Sequence, residues 1–293
     1  MRKLLTFTLL PLLLLTGCSA PAPEAALPEL KVTFLAVGAA DCIVLQADGH
    51  AAMIDTGNQG DAQYILDFLS AEGISSLDFL LLTHLDKDHI GSADVVMENI
   101  PIGTVYAPDY VKGNKQYDQY IAALDKLGIV PEHPAQPVKL TFGAGALTLL
   151  PGDKAVYAQS NDYSILAHLT YGEITFLFAG DAEAERLGEY LSASPQPVDV
   201  LKVPHHGRKN ALSEKFFTAV SPRAAVITCE KKDMPDAAVV SFLKSLGAKV
   251  YGTVDGTVTI TLANTDLHEP ARVTLRGAGG SLTGRALMRT LSS

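Results

Sequence analysis

Cysteine is scarce in this chain and basic residues are outnumbered. Three cysteines in 293 residues cannot form a disulfide framework, which excludes a small stapled scaffold. Cys42 and Cys229 sit in the apolar runs DCIVLQ and AAVITC, where a buried free thiol acts as a small hydrophobe; a bridge between them stays open in an oxidising compartment. Lys and Arg number 23 against 32 Asp and Glu. Without Arg2 and Lys3, which lie in a segment expected to be removed, the basic count is 21 and the balance −11. A surface of that sign repels polyanions, which excludes general coating of nucleic acid but leaves room for a local basic rim of Lys202, Arg208, Lys209, Lys231 and Lys232. No repeat of solenoid period recurs, and the apolar stretch that opens the chain is too short for a comfortable membrane span. What remains, 47% hydrophobic residues, is enough to bury a substantial core in one large domain or two fused halves.

The first 18 residues, MRKLLTFTLLPLLLLTGC, pair a short basic start with an apolar core and small residues before a cysteine, the pattern of an export signal. Leu15-Thr16-Gly17-Cys18 resembles the bacterial lipobox, which implies lipidation of Cys18 and anchoring at the outer face of the cell membrane, or in the periplasm or outer membrane of a two-membrane cell. An ordinary cleaved secretory signal is the alternative. Residues 19–30, rich in Ala and Pro, read as a tether. The folded domain is expected over 31–266, followed by a tail over 267–293 that is mobile apart from a strand around Ala271 to Leu275.

From Lys31 the pattern predicts a mixed α/β domain. KVTFLAV, CIVLQA and AAMIDTG read as strands of a meander; DAQYILDFLSAE as an amphipathic helix stopped by Gly73; LDFLLLT as a strand buried on both faces. NKQYDQYIAALDKLG, AEAERLGEYLS and PDAAVVSFLKSLG read as helices, while VKLTF, ALTLLP, VDVLKVP, KVYGT and GTVTITL read as strands. YSILAHLTYGEITFLFAGD reads as a hairpin turning at Tyr171-Gly172. Hairpins demand antiparallel pairing, so a layered sandwich fits better than a doubly wound parallel sheet.

Chemistry concentrates where apolar strands end. LLTHLDKDHIG sets His84, Asp86, Asp88 and His89 in six positions after such a run. Imidazole nitrogen with carboxylate oxygen suits zinc, manganese or iron. TFLFAGD delivers Asp181, VLKVPHHG delivers His205 and His206, and MIDTGN delivers Asp55, which reads equally well as a turn former. His133, in a proline-rich loop, and His168, within a strand, read as structural.

The set MIDTG, LTHLDKDHIG, LFAGD, LKVPHHG and VYGTVDGTVTI, in this order, resembles the metallo-β-lactamase superfamily, and within it the branch containing the hydrolase domain of the DNA-uptake protein ComEC. The resemblance covers roughly Lys31 to Leu262. It implies a four-layer αββα sandwich and a centre of two divalent metals, zinc first and manganese next. On this reading His84 and Asp86 serve one metal and Asp88 and His89 the other. Asp181 bridges, and one of His205 and His206 completes the second site, with His206 the working choice. Asp86 stands where the commoner pattern has histidine, which points away from β-lactams and makes that site richer in oxygen. No histidine stands at the superfamily's further ligand position between the first cluster and Asp181, which leaves one metal weaker or more open; Asn161 aligns with an asparagine of the ComEC-like pattern. AVGAADC keeps Gly38 and Asp41 of the branch's glycine loop and loses a glycine and a glutamine.

The implied activity is hydrolysis by a metal-activated water. Asp88, His205 and His206 are the catalytic candidates, and Asn161, Arg208 and Lys209 the candidates for holding substrate. The first choice of substrate is a phosphodiester outside the cell, DNA or a wall-linked polymer. A small ester or lactone is the second enzyme reading, and a surface lipoprotein that binds metal or polymer without turnover is the non-enzymatic one.

Overall fold

The computed structural model describes residues 27–262, 272–277 and 280–285; the leader, Cys18 and most of the expected tether lie outside them. No helix among the described residues is long and apolar enough to cross a membrane.

Among the described residues fifteen strands form two sheets. The first half of the chain supplies β1 (Leu30–Phe34), β2 (Ile43–Ala47), β3 (His50–Ile54), α1 (Ala62–Ala71), β4 (Leu77–Leu81), the short α2 (Lys87–Ile90), α3 (Ala93–Asn99), β5 (Ile102–Tyr106) and α4 (Lys115–Leu127). The second half supplies β6 (Val138–Phe142), β7 (Gly145–Leu150), β8 (Leu166–Tyr171), β9 (Ile174–Phe178), α5 (Ala184–Ser192), β10 (Val200–Lys202), α6 (Ser213–Val220), β11 (Ala224–Ile227), α7 (Ala237–Ser245) and β12 (Lys249–Gly252). The chain then returns to the first sheet with β13 (Thr257–Leu262), β14 (Arg272–Gly277) and β15 (Gly280–Arg285). The first sheet runs β15-β14-β13-β1-β2-β3-β4-β5 and the second β12-β11-β10-β9-β8-β7-β6. Within 267–293 two antiparallel strands extend the first sheet, pairing Val258 with Leu275 and Thr274 with Thr283.

Why strands such as LDFLL and ITFLF are apolar throughout is visible in their packing. Phe79 and Leu81 face the core between the sheets, together with Phe176, Phe178, Val200 and Val226. Leu80 and Leu82 face a second core under α1, α3 and α4, and Leu177, Leu201 and Ile227 face a third under α5, α6 and α7. Each central strand is therefore buried on both sides, and the layers are helix, sheet, sheet, helix. Asn114 caps α4 by accepting from the Tyr117 amide, and Gly128 ends that helix at φ 65°. Cys42 and Cys229 are free thiols buried in different outer cores, so they do not pair.

This arrangement positions the site. β3, β4 and β5 are parallel, as are β9, β10, β11 and β12. The carboxyl ends of β3, β4, β9, β10 and β11 meet at one edge of the sandwich, where the chain must turn. Bonds there join the two sheets: Ile165 donates its amide to Thr83 O at 2.8 Å and Thr228 its hydroxyl to Asp41 Oδ1 at 2.7 Å.

Candidate metal centre

Leaving β4, the chain sets Thr83 and His84 at the sheet edge, and the single turn of α2 then carries Asp88 and His89. Asp181 follows β9 after Gly180, and His205 and His206 follow β10. Asp55, His205 and His206 all adopt left-handed φ, at 59°, 48° and 51°. Such backbone costs about 1–3 kcal/mol per residue and persists only where surroundings impose it. Three strained non-glycine residues at one edge mark a built site.

Asp88, His89, Asp181 and His206 each point one ligand atom into a common volume, with those atoms within 4.8 Å of one another. Nε2 of His89 and Nε2 of His206 lie 3.3 and 3.2 Å from Asp181 Oδ2, and His206 Nε2 lies 3.6 Å from Asp88 Oδ2. His84 adjoins this set, its ring 4.1 Å from that of His89. Four buried atoms, His84 Nε2, His89 Nε2, His206 Nε2 and Asp181 Oδ1, have no hydrogen-bond partner. Buried polar atoms left so cost free energy unless a cation collects them.

Behind the ligand atoms each ring is oriented. His89 donates from Nδ1 to Asp55 Oδ2 at 2.8 Å, and Asp55 also accepts from the Thr83 amide and hydroxyl, both at 2.7 Å. His206 donates from Nδ1 to Thr228 O at 3.1 Å; Thr228 Oγ1 lies 2.9 Å away and gives its own proton to Asp41 at 2.7 Å. Both rings therefore turn Nε2 inward, the atom a metal takes in place of a proton. Asp41 is in turn paired with the buried Lys202 ammonium, which also donates to Gly180 O at 3.0 Å and lies 3.5 Å from Asp181 Oδ1.

The electrostatics follow. Burial, helped by neighbouring His89, pushes His84 down to about 3, so it is neutral. Burial alone would also lower His89 and His206, but Asp181 together with Asp55 holds His89 well above the usual range, and Asp181 with Asp88 takes His206 up to about 9. Asp181, despite burial, is held well below the carboxylate range by His206, His89 and Lys202. Protons held on imidazoles only by facing carboxylates are those a divalent cation replaces. The donor set fits a metal. Asp41 and Asp55 also cluster near His89. Their oxygens are engaged by Lys202, Thr228 and Thr83, so they orient ligands.

The remaining candidates fall outside this set. Asp86 turns to the Lys112 ammonium, 2.5 Å away, and accepts from Ser160 Oγ at 3.0 Å. His205 stands at the mouth, its Nδ1 3.1 Å from Glu183 Oε1; Asn161 donates to the same oxygen at 3.0 Å and lies 3.4 Å from His205 Nε2. Arg208 forks onto Asp233 at 2.8 and 2.9 Å, and Lys209 pairs with Glu214 at 2.7 Å. Both cations expected to hold substrate are engaged by surface carboxylates instead. Lys202, expected in the basic rim, is fully buried. His133 bonds Ala107 O at 2.9 Å and His168 sits in β8, both away from the centre. Sequence reasoning named Asp41 without a role and missed Thr228, Lys112, Ser160 and Glu183. The retained Asp41 of the glycine loop was the one available signal.

Residues 35–229 match the metallo-beta-lactamase superfamily. Among curated proteins, this chain is 28% identical to ComE operon protein 3 of Bacillus subtilis over 193 residues, covering 64% of this chain and 25% of that protein. It is 28% identical to competence protein ComA of Neisseria gonorrhoeae over 253 residues, covering 82% and 33%. The chain thus spans about a quarter to a third of the length of these relatives. Among solved structures it is similar to the metallo-beta-lactamase fold protein YhfI of Bacillus subtilis, with TM-score 0.52 and 17% identity over 78% of this chain and 98% of that one. It is also similar to CmlA, a diiron β-hydroxylase of Streptomyces venezuelae, with TM-score 0.54 and 14% identity over 83% and 55%. The latter shows that the fold alone does not select hydrolysis. With its sandwich, its ligand edge and the match over most of its length, this chain belongs to the metallo-β-lactamase superfamily.

Proposed function

We propose that the chain is an extracytoplasmic, metal-dependent hydrolase of phosphodiesters, with DNA or a wall-linked polymer as substrate. The observation that carries it is the convergence of Asp88, His89, Asp181 and His206 on one volume, with the inward atoms of His89, His206 and Asp181 unpartnered. Similarity to competence proteins supports the phosphodiester, and the leader supports export with Cys18 as the anchoring residue.

Divalent ions bound by this set, zinc first and manganese next, supply Lewis acidity and a water activated for attack. The protein's own residues do the rest. Asp55 and Thr228 fix the rings of His89 and His206, so the centre needs no reorganisation when substrate arrives. Asp88, 27% exposed at its side chain, is the ligand open to the cleft and can accept the proton of the attacking water. His205, its Nδ1 on Glu183 and its Nε2 beside the Asn161 amide, is held below the usual imidazole range by burial and stands at the mouth as a neutral ring that positions the leaving group. Arg208 and Lys209 are engaged by Asp233 and Glu214, so a long polyanion reaches them only by displacing those carboxylates.

Hydrolysis of bis-p-nitrophenyl phosphate by purified protein tests this, followed by single-stranded DNA and phosphocholine esters. Turnover that depends on added metal and disappears in Asp88→Ala is expected. Metal bound without turnover on any phosphodiester sinks the reading; turnover on lactones or carboxyl esters alone replaces it with the ester hydrolase.

A further inference from the structure

The two halves of the centre differ in what already holds their carboxylates. Asp88 and Asp181 aim oxygens at the imidazoles of His89 and His206. Asp86 does not. Its Oδ1 lies 2.5 Å from Lys112 Nζ, its Oδ2 accepts from Ser160 Oγ at 3.0 Å, and the same ammonium donates to Ser160 Oγ at 2.7 Å. The three side chains close a ring of polar contacts at the mouth.

Lys112 is delivered there by construction. Two residues before it, Tyr110 accepts the Leu85 amide on its hydroxyl at 2.7 Å and stacks on Tyr163 with ring centroids 4.0 Å apart. Two residues after it, Asn114 caps α4. The lysine is therefore pinned from both sides, once to the residue between His84 and Asp86 and once to a helix. An ammonium on a carboxylate is a competitor for any second cation that needs that carboxylate. His84 Nε2, Asp181 Oδ1 and Asp86 Oδ1 are all buried without a hydrogen bond, but an ammonium stands 2.5 Å from Asp86 Oδ1 against 3.5 Å from Lys202 to Asp181 Oδ1, so Asp86 is the contested group.

Resting on the metal-dependent reading above, we propose that Lys112 grades the centre. The Asp88, His89, Asp181 and His206 half takes one divalent ion tightly, and the His84 and Asp86 half takes a second only by displacing the Lys112 ammonium from Asp86. Occupancy, and with it the number of ions at work, then follows metal concentration.

Zinc alone is the probe: the full chain, stripped by chelator, is titrated by calorimetry and its bound ions are counted after dialysis. The wild type should show one tight ion and a second about 100-fold weaker. Lys112→Met keeps the apolar stem without charge; it should strengthen the second ion by about tenfold or more and leave the first unchanged. Lys112→Arg should keep the gap, and Ser160→Ala should narrow it by less than Lys112→Met. Two ions of equal affinity in the wild type, an unchanged second ion in Lys112→Met, or both ions weakened in that variant would each overturn the proposal. Because these measurements use no substrate, failure of phosphodiester turnover leaves them standing, and a single unaltered binding constant overturns the grading without touching hydrolysis.

Discussion

At the floor of the centre every imidazole has a second partner behind it, whereas at the rim the side chains answer to surface charges. His89 is backed by Asp55 and His206 by Thr228, and both rings are buried. Asp86, Arg208 and Lys209 pair instead with Lys112, Asp233 and Glu214, all at least partly exposed. The difference follows from geometry. Floor residues sit at ends of strands whose positions two packed sheets fix, while rim residues belong to loops that choose their own partners. A preformed floor could take a metal without reorganising, and an adaptable rim leaves its side chains to exchange partners.

The sharpest break lies in Asp181, the carboxylate that His89 and His206 both face. Asp181→Ala should lose more than about 100-fold in metal affinity and abolish turnover, because it removes the carboxylate facing His89, His206 and Lys202 at once. Calorimetry and the phosphodiester assay check it together. Asp55→Ala should come next, although it is no ligand. It orphans His89 Nδ1 and the Thr83 amide in a fully buried setting, and about 3–5 kcal/mol of stability should go with about 10–100-fold in metal affinity. Chemical denaturation with and without zinc reads both. Asp55→Asn, which tolerates the left-handed φ and can still bond Thr83, should recover part of the stability. Equal loss of stability in the Ala and Asn variants would mean that Asp55 serves as a charge and not as a hinge of hydrogen bonds.

The floor was also the legible half. His84, Asp88, His89, Asp181 and His206 could be found because each follows an apolar run that stops, and a strand buried on both faces must deliver its next residues to an edge. Which of His205 and His206 turns inward was not legible. Both share the left-handed backbone, and the deciding bond comes from Thr228 on another strand end. Lys202 reads as a surface cation by type alone; its partner Asp41 lies on the other sheet, as does the Thr228 contact to Asp41 across 187 residues. Helices α3 and α6 were missed because they are short and lack a glycine stop. The pairing of Arg208 with Asp233 was hidden for the same reason as the rim's other contacts: nothing in local pattern says which carboxylate a loop will reach.

A smaller effect sits where floor meets backbone. Gly180 adopts φ 51°, and a Cβ there would stand 3.0 Å from Ser164 Oγ and 3.1 Å from Thr83 Cβ. Gly180→Ala should therefore cost about 1–2 kcal/mol and shift Asp181, seen as a lower denaturation midpoint and a modestly weaker metal.

The smallest effect should come from the rim cations, and it tests the comparison most directly. Arg208 and Lys209 have side chains 50% and 44% exposed, in pairs that solvent screens, so each pair stabilises by about 0–1 kcal/mol. Arg208→Ala and Lys209→Ala should then leave stability within about 0.5 kcal/mol, and turnover of a short phosphodiester within about threefold. If Arg208→Ala instead raised KM strongly for DNA while sparing the short substrate, the guanidinium must leave Asp233 for a phosphate, which its planar fork suits equally well. The rim would then be a polyanion track that forms only under its substrate, and the line between a fixed floor and an adaptable rim would mark where recognition ends and chemistry begins.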